Sequence, residues 1–200
     1  MRRNLAILIF NDVEVLDFCG PLEVFSVVGK RTMPEAPFNV YTVAETAKSV
    51  IARNGLSVNP AYTFANCPPP DIILVPGGRG TRHEMTNLGV LDWLRGQYDR
   101  LELLLSVCTG ALVLAKAGLL PGLKATTHFA ALDELKLAEP SITLCPEARY
   151  VDNGKIVLSA GVSAGIDMSF YVVERLLGPE AAAEAARYMQ YDYWPRPEKS

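Results

Sequence analysis

The stretch Leu101–Leu120 of this 200-residue chain has the sequence LELLLSVCTGALVLAKAGLL. Its first half is a short apolar run, which is typical of a buried strand, and its second half places apolar residues at helical spacing. The tripeptide Cys108-Thr109-Gly110 separates the two halves. The pattern therefore predicts a strand, a sharp turn at Cys108 and a helix.

Cys108 is a candidate nucleophile because of its position in this turn. The first free N–H groups of a helix carry partial positive charge, which favours a thiolate over a thiol. We therefore expect a lowered pKa for the Cys108 thiol. The alternative interpretation is a buried cysteine that packs as a small hydrophobic side chain.

Length and composition predict one soluble globular domain over residues 1–200. Half of the residues are hydrophobic, one fifth are charged and the formal net charge is −3, which gives no indication of a nucleic-acid partner. The apolar run Leu5–Phe10 is short and no cleavage site follows it, so we interpret it as a first strand rather than a signal peptide. We expect a cytoplasmic protein that acts on a small molecule, with no membrane partner.

The four cysteines are Cys19, Cys67, Cys108 and Cys145. They are widely scattered, with neither the spacing of metal ligands nor the density of a secreted disulfide scaffold. We expect reduced thiols and no metal site.

Strands and helices alternate along the chain, which predicts an α/β fold with a mostly parallel sheet and helices on both faces. The expected strands are Leu5–Phe10, Phe38–Val43, Asp71–Val75, Leu103–Val107, Ala125–Thr127, Ile142–Leu144, Arg149–Val151 and Ile156–Leu158. A small β-hairpin is expected around Asn54-Gly55, a dipeptide that favours tight hairpin turns.

Helices are expected after several of these strands. Pro21 suits the first turn of a helix, which would leave Asp17 in the loop after the first strand. A further helix is expected over His128–Leu137, with Phe129, Leu132 and Leu135 on one side. The last helical region runs from Gly165 to about Tyr191 and is ended by Trp194–Pro197.

Three loops of special composition follow predicted strands, and such loops meet at one edge of a parallel sheet, where ligands bind. Asp17 is a candidate proton donor or acceptor, and the backbone N–H groups of Gly77 and Gly78 are candidates to hold developing charge. Thr109 either donates its hydroxyl to a substrate or only opens the helix. The alternatives are a solvated carboxylate or helix cap at Asp17 and an ordinary turn at the glycines.

The histidines and nearby arginines give weaker signals. His83 falls on a predicted surface helix, and His128 begins another helix, where hydrogen bonding to the backbone is the ordinary role. Neither spacing demands a general base. Arg79 and Arg82 are more often solvent-exposed charges than substrate clamps. The sequence leaves the role of Cys19 open.

Taken with these residues, the chain resembles the DJ-1/PfpI (ThiJ) superfamily, and within it the isonitrile hydratase branch. The resemblance is carried by the segments LIFNDVEVLDFCGPLEVF, DIILVPGG, SVCTGALVLAKAGLLPGLKATTH and SAGVSAGIDMSFYVVERLLG, which are spread over nearly the full length. It implies a flavodoxin-like sandwich of the class I glutamine amidotransferase-like type, a homodimer and a reactive cysteine at a nucleophile elbow.

The isonitrile hydratase branch implies specific roles for the site residues. Cys108 would attack an isocyanide or a similar small electrophile, Asp17 would handle protons and Thr109 would contact the reacting group. The product would be an N-substituted formamide, and the resemblance implies no metal or organic cofactor. With Gly77 and Gly78, Gly110 is a candidate substrate-binding residue.

Other members of the superfamily fit less well or remain as alternatives. Its peptidases have histidine where Thr109 stands, and related amidotransferases have a late histidine that Ser159–Asp167 lacks. The same Cys-Thr-Gly segment occurs in sensor domains of AraC-type regulators. A redox or ligand sensor without a DNA-binding module is therefore the main alternative, with Cys108 oxidised instead of catalytic. A glyoxalase-type activity is a third.

Overall fold

The computed structural model describes residues 2–30 and 32–192. Its strands are β1 (Arg3–Leu8), β2 (Phe38–Ala44), β3 (Val50–Ile51), β4 (Ser57–Val58), β5 (Tyr62–Thr63), β6 (Ile72–Val75), β7 (Leu103–Val107), β8 (Lys124–Ala125), β9 (Thr143–Leu144), β10 (Tyr150–Asp152) and β11 (Ile156–Ser159). Its helices are α1 (Val15–Val27), α2 (Thr81–Glu84), α3 (Leu88–Tyr98), α4 (Gly110–Lys116), α5 (Leu132–Ala138), α6 (Ala164–Leu177) and α7 (Pro179–Tyr188).

A seven-stranded sheet with the order β10-β11-β7-β6-β1-β2-β5 forms the centre of the fold. Every pairing in it is parallel except that of β10 with β11. All residues of β6 and β7 are buried, as expected for strands covered by helices on both faces. The predicted α/β class with a mostly parallel sheet is confirmed.

The helices form two groups, one on each face of the sheet. Helices α1, α6 and α7 contact one another, while α4 contacts α2, α3 and α5. Strand β1 connects to β2 on one side, and the chain then crosses to β6 and β7 on the other side. The carboxyl ends of β1, β6 and β7 therefore meet where the strand order reverses, which is the usual ligand position in such sheets.

The start of α1 differs from the sequence prediction. The helix begins at Val15, so Asp17 lies in its first turn and Pro21 lies in its interior. The prediction was wrong because it used Pro21 as a start signal. Buried side chains of α1, including Phe18 and Phe25, hold the helix against the sheet, and tertiary packing outweighs the local preference of proline.

Other elements agree with the sequence more closely. The hairpin around Asn54-Gly55 is confirmed as the β3–β4 pair. The predicted His128–Leu137 helix is divided into a short 3₁₀ turn and α5; Leu135 is buried, whereas Phe129 is exposed. Helices α6 and α7 replace the single C-terminal helical region, and the predicted end at Trp194–Pro197 lies outside the described residues. No helix in the described part of the chain combines the length and apolarity needed to cross a bilayer.

Candidate active site

The turn between β7 and α4 places Cys108 at the carboxyl edge of the sheet. Cys108 has a φ of 56°, in the left-handed region that non-glycine residues rarely adopt. Its N–H donates to the carbonyls of Ser159 and Ala160 at 3.2 and 3.1 Å, and its carbonyl accepts from Thr127 Oγ1 at 2.7 Å. These bonds hold the strained turn from both sides, as is common at functional sites.

Gly110 has a structural role in this turn. A Cβ atom at Gly110 would lie 2.1 Å from the carbonyl oxygen of Val75, so only glycine lets α4 pack this closely on the end of β6. Gly110 does not line the cleft above Cys108. The structure thus gives Gly110 a packing role, and its assignment to substrate binding stays a prediction.

The sulfur of Cys108 receives backbone hydrogen bonds from Val162 and Thr109. Val162 lies in the loop after β11 and also has a positive φ, of 46°. The strained backbone at Val162 thus directs an N–H group at the sulfur. Sequence analysis missed this residue because valine carries no chemical signal and its contribution comes from the main chain.

Asp17 lies beneath the sulfur and is completely buried. Its Oδ2 accepts the Gly77 N–H at 2.9 Å, whereas its Oδ1 has no N–H or O–H donor among residues 2–30 and 32–192. The remaining polar neighbour is the Cys108 thiol, which interacts with the carboxyl group. The structure therefore places the two predicted catalytic groups next to each other, so that the charge of one affects the other.

Burial determines how this pair ionises. Burial raises the pKa of Asp17 to about 7, against the opposing effects of the Gly77 N–H and the Cys108 thiol. Burial, followed by the charge of Asp17, raises the pKa of the Cys108 thiol to about 12, although the N–H groups of Val162 and Thr109 favour the thiolate. The expected lowering of the Cys108 pKa is therefore wrong, because loss of water outweighs the positive end of the short helix α4.

Because each anion disfavours ionisation of the other group, Cys108 and Asp17 titrate as one unit. The pair loses a first proton near neutral pH and the second only at alkaline pH. Between these steps the pair holds one proton, mainly on the sulfur, and transfer of this proton to Asp17 gives the thiolate. Such a pair can supply a thiolate and an acid at the same moment.

The backbone N–H groups of Gly77 and Gly78 are both already engaged. Gly77 donates to Asp17, and Gly78 donates to Thr109 Oγ1 at 3.0 Å. The expectation that they hold charge on a substrate is therefore corrected: they hold the acid and the elbow in place. Gly77 does not line the cleft, while Gly78 does.

The Thr109 hydroxyl joins the elbow to the glycine turn. Besides accepting from Gly78 N–H, its Oγ1 lies 3.1 Å from the Gly78 carbonyl and 3.2 Å from Thr81 Oγ1. Thr109 is buried and lines the cleft. In this geometry its hydroxyl is satisfied by the protein, so any contact with a substrate requires exchange of one of these bonds.

A cleft of about 150 Å³ opens above the sulfur. It is lined by Glu14, Arg53, Gly78, Arg79, Arg82, Cys108, Thr109, His128, Ala130, Ala131 and Val162. Nδ1 of His128 accepts the Ala130 N–H at 3.2 Å, which leaves Nε2 as the protonated nitrogen of the neutral ring. His83 and Cys19 do not line this cleft.

Comparison with known proteins identifies the family. The DJ-1/PfpI family model matches residues 3–175. The chain belongs to the DJ-1/PfpI family. It is 35% identical over 198 residues to isonitrile hydratase from Pseudomonas putida, which covers 98% of this chain and 81% of that protein.

Two further DJ-1/PfpI comparisons define the range of relatives. The crystal structure of a ThiJ/PfpI family protein from Pseudomonas syringae superposes with a TM-score of 0.86 at 30% identity, over 99% of this chain and 78% of that one. The HTH-type transcriptional regulator GbdR from Pseudomonas aeruginosa is 25% identical over 95% of this chain. The chain spans 51% of that regulator's length. Sequences similar to this chain thus occur in a named enzyme and in a named regulator.

Proposed function

We propose that this DJ-1/PfpI protein is a cysteine-dependent hydratase that converts isocyanides, or small electrophiles of similar kind, into N-substituted formamides. The observation that carries the proposal is the position of the fully buried Asp17 carboxyl group beside the Cys108 thiol, where the ionisation of each group affects the other. The similarity to an isonitrile hydratase supports the choice of substrate.

The first step uses the proton that the pair shares. An isocyanide, R–N≡C, has a terminal carbon that accepts a nucleophile and a proton. When the proton is on Asp17, Cys108 is a thiolate; its sulfur forms a bond to this carbon, and Asp17 transfers the proton to the same carbon. The product is a thioimidate, R–N=CH–S–Cys108, and Asp17 is left as a carboxylate.

The second step adds water and releases the product. The Asp17 carboxylate takes a proton from water as the water oxygen bonds to the thioimidate carbon, and Asp17 passes this proton to the imine nitrogen. The C–S bond then breaks as Asp17 accepts the proton of the new hydroxyl, which gives R–NH–CHO and restores the thiolate and the protonated Asp17 with which the first step began. The sum is one isocyanide plus one water to one formamide, and neither a metal nor an organic cofactor takes part.

The other site groups assist these steps from the protein side. The N–H groups of Val162 and Thr109 point at the sulfur and stabilise negative charge there whenever the C–S bond is absent. The Gly77 N–H favours the carboxylate form of Asp17, which the second step needs. Thr109 acts as a positioning residue through its bonds to Gly78.

Hydration of para-nitrophenyl isocyanide tests the proposal. The wild type is expected to form the para-nitrophenyl formamide with one oxygen from ¹⁸O-labelled water, measured by mass spectrometry. Cys108→Ala should abolish turnover. Cys145→Ala is the matched control, because Cys145 lies outside the cleft. Absence of formamide with the wild type, or turnover that persists in Cys108→Ala, would contradict the proposal.

The same preparation distinguishes the alternatives. A sensor would leave the isocyanide unchanged, while peroxide would add oxygen to Cys108 stoichiometrically. A glyoxalase-type enzyme would instead produce lactate from methylglyoxal.

We propose in addition that the protein forms a homodimer and acts in the cytoplasm. Leu16, Ile51 and Leu56 expose apolar surface on α1 and on the β3–β4 hairpin. The two elements are held near one another because the Arg53 N–H donates to the Val13 carbonyl at 2.9 Å. Light scattering after size-exclusion chromatography is expected to give twice the chain mass, and the mass of a single chain would contradict the dimer.

A further inference from the structure

The rim of the cleft above Cys108 is positively charged, in a chain whose net charge is −3. Two of its arginines are paired with carboxylates. Arg53 lies 3.3 Å from Glu14, and Arg82 forms a two-point ion pair with Glu134. These two pairs are internally neutralised and leave no free charge for a ligand.

Arg79 differs from its two neighbours. Its guanidinium forms no ion pair or hydrogen bond with any of residues 2–30 or 32–192, yet Arg79 lines the cleft. The backbone on either side of it is fixed: a Cβ at Gly78 would lie 2.3 Å from the Asp12 carbonyl oxygen, and one at Gly80 would lie 1.9 Å from that of Asn11. The turn therefore holds one unpaired cation at the rim.

We propose that Arg79 binds an anionic group, of which a carboxylate is the simplest, on the molecule that reacts with Cys108. A guanidinium pairs with a carboxylate through two parallel N–H bonds. The cleft of about 150 Å³ has the size of cavities that hold a single benzene ring. The preferred electrophile is thus compact, with its negative charge remote from the reacting carbon. The identity of this electrophile as an isocyanide rests on the proposed function. The preference for a negatively charged electrophile does not depend on that function.

Competing alkylation tests the charge preference without any turnover. Iodoacetate and iodoacetamide are similar in size and differ in charge, and the tryptic peptide 101–116 reports their products at Cys108. The rate ratio of iodoacetate to iodoacetamide at Cys108 is divided by the same ratio at Cys145, which corrects for intrinsic reactivity. This double ratio is expected to be about 5 in the wild type, the upper range for an exposed ion pair, and to decrease at high salt.

Matched variants assign the preference to Arg79. In Arg79→Gln the double ratio is expected to decrease to about 1, while Arg79→Lys retains part of it. Arg187→Gln removes the same charge from α7, outside the cleft, and should leave the ratio unchanged. A wild-type double ratio near 1, or one that Arg79→Gln does not lower, would overturn the proposal.

The hydratase assay then gives the substrate class. The carboxylate 4-isocyanobenzoate is nearly isosteric with the neutral para-nitrophenyl isocyanide. In the wild type, the kcat/KM for the carboxylate is expected to be about fivefold higher than that for the neutral compound, and in Arg79→Gln this difference should be lost. Equal kcat/KM values for both compounds would overturn the carboxylate preference while leaving the hydratase in place. If neither compound is hydrated but the alkylation ratio depends on Arg79, the proposed function fails and the anion preference stands.

Discussion

Two cavities at the same edge of the sheet are each associated with a buried carboxyl group. The cleft of about 150 Å³ has Asp17 beneath Cys108. The other cavity, of about 480 Å³, lies beside the ends of β1 and β2 and contains Glu84 in its wall. Burial raises the pKa of both Asp17 and Glu84. A buried carboxyl group with a raised pKa is therefore not enough to identify which of the two cavities is the active site.

The partners of the two carboxyl groups make the difference. Asn87 Nδ2 donates to Glu84 and to Glu45 at 2.9 Å each, so Glu84 is held by a neutral amide that has no proton to exchange with it. Asp17 instead lies beside the Cys108 thiol, a group that can take up or release a proton. A buried acid becomes useful for catalysis when its neighbour takes up the proton it releases, and only the smaller cleft meets that condition.

Matched amide substitutions give the largest expected difference between the cavities. Asp17→Asn removes the proton shuttle and is expected to lower kcat/KM for isocyanide hydration by about 10²- to 10⁴-fold, the usual contribution of a general acid–base group. Glu84→Gln should change it by less than about twofold, since Glu84 touches no reacting group. Equal losses in both variants would show that burial of charge, and not contact with the thiol, explains the activity.

The pH dependence of the unfolding free energy gives a second test of the difference between Asp17 and Glu84. The pKa of Asp17 is raised by folding from 3.8 to about 7, so its contribution to stability is complete below pH 4 and is lost as the pH rises through 7. Relative to Asp17→Asn, the wild type should therefore lose up to about 4 kcal/mol of unfolding free energy over this interval. Urea unfolding at pH 4, 5.5 and 7.5 measures the change.

The control for this titration is Glu84→Gln. Because burial also raises the pKa of Glu84, the wild type should also lose unfolding free energy relative to Glu84→Gln as the pH increases. A wild type that gains stability relative to Asp17→Asn as the pH increases from 4 to 7.5 would mean that the Asp17 carboxylate is stabilised in the folded protein.

Thr109→Val tests the bond between the elbow and the glycine turn. The substitution leaves the buried Gly78 N–H without its acceptor, which is expected to cost about 1 to 3 kcal/mol of unfolding free energy. We expect a decrease in kcat with little change in KM, because the elbow moves and the cleft walls remain. Thr109→Ser keeps the hydroxyl and should restore most of both quantities, and failure to do so would locate the effect in the methyl group.

The pH profile of Cys108 alkylation gives the smallest of the expected effects. The midpoint should lie above the free-thiol value of about 8.5, because burial raises the pKa of Cys108. In Asp17→Asn the midpoint should move down, since the neighbouring negative charge is the second cause of that shift. A midpoint that moves upward instead would indicate that Asp17 acts chiefly as the base that deprotonates the sulfur.

The sequence predicted the elements whose signals are local. The run before Cys108 predicted a buried strand and a turn, and strand and helix alternation predicted the parallel sheet; both follow from periodicity alone. The start of α1 at Val15 was not predictable from Pro21, because packing against the sheet decides it. Local patterns therefore describe which elements exist better than where they begin.

The catalytic side chains of the site could be predicted from the sequence, whereas the contacts made by its backbone N–H groups could not. Cys108 and Asp17 were identified from residue type and position, and the structure places them together. The Val162 N–H, the engaged Gly77 N–H and the raised thiol pKa depend on distances and burial that only the folded chain determines. A helix N-terminus seen in sequence says nothing about how much water the sulfur retains.

The complete burial of Asp17 has a consequence for isotope transfer during turnover. With no surface of its own, the carboxyl group exchanges hydrogen with the solvent through the thiol or through opening of the fold. Once the sulfur carries an adduct, the first of these routes is blocked. In the proposed mechanism, the hydrogen on the formyl carbon is therefore the one that Asp17 held before the adduct formed. When enzyme equilibrated in D₂O is diluted rapidly into H₂O that contains substrate, the first formamide molecule formed on each enzyme should carry deuterium on its formyl carbon.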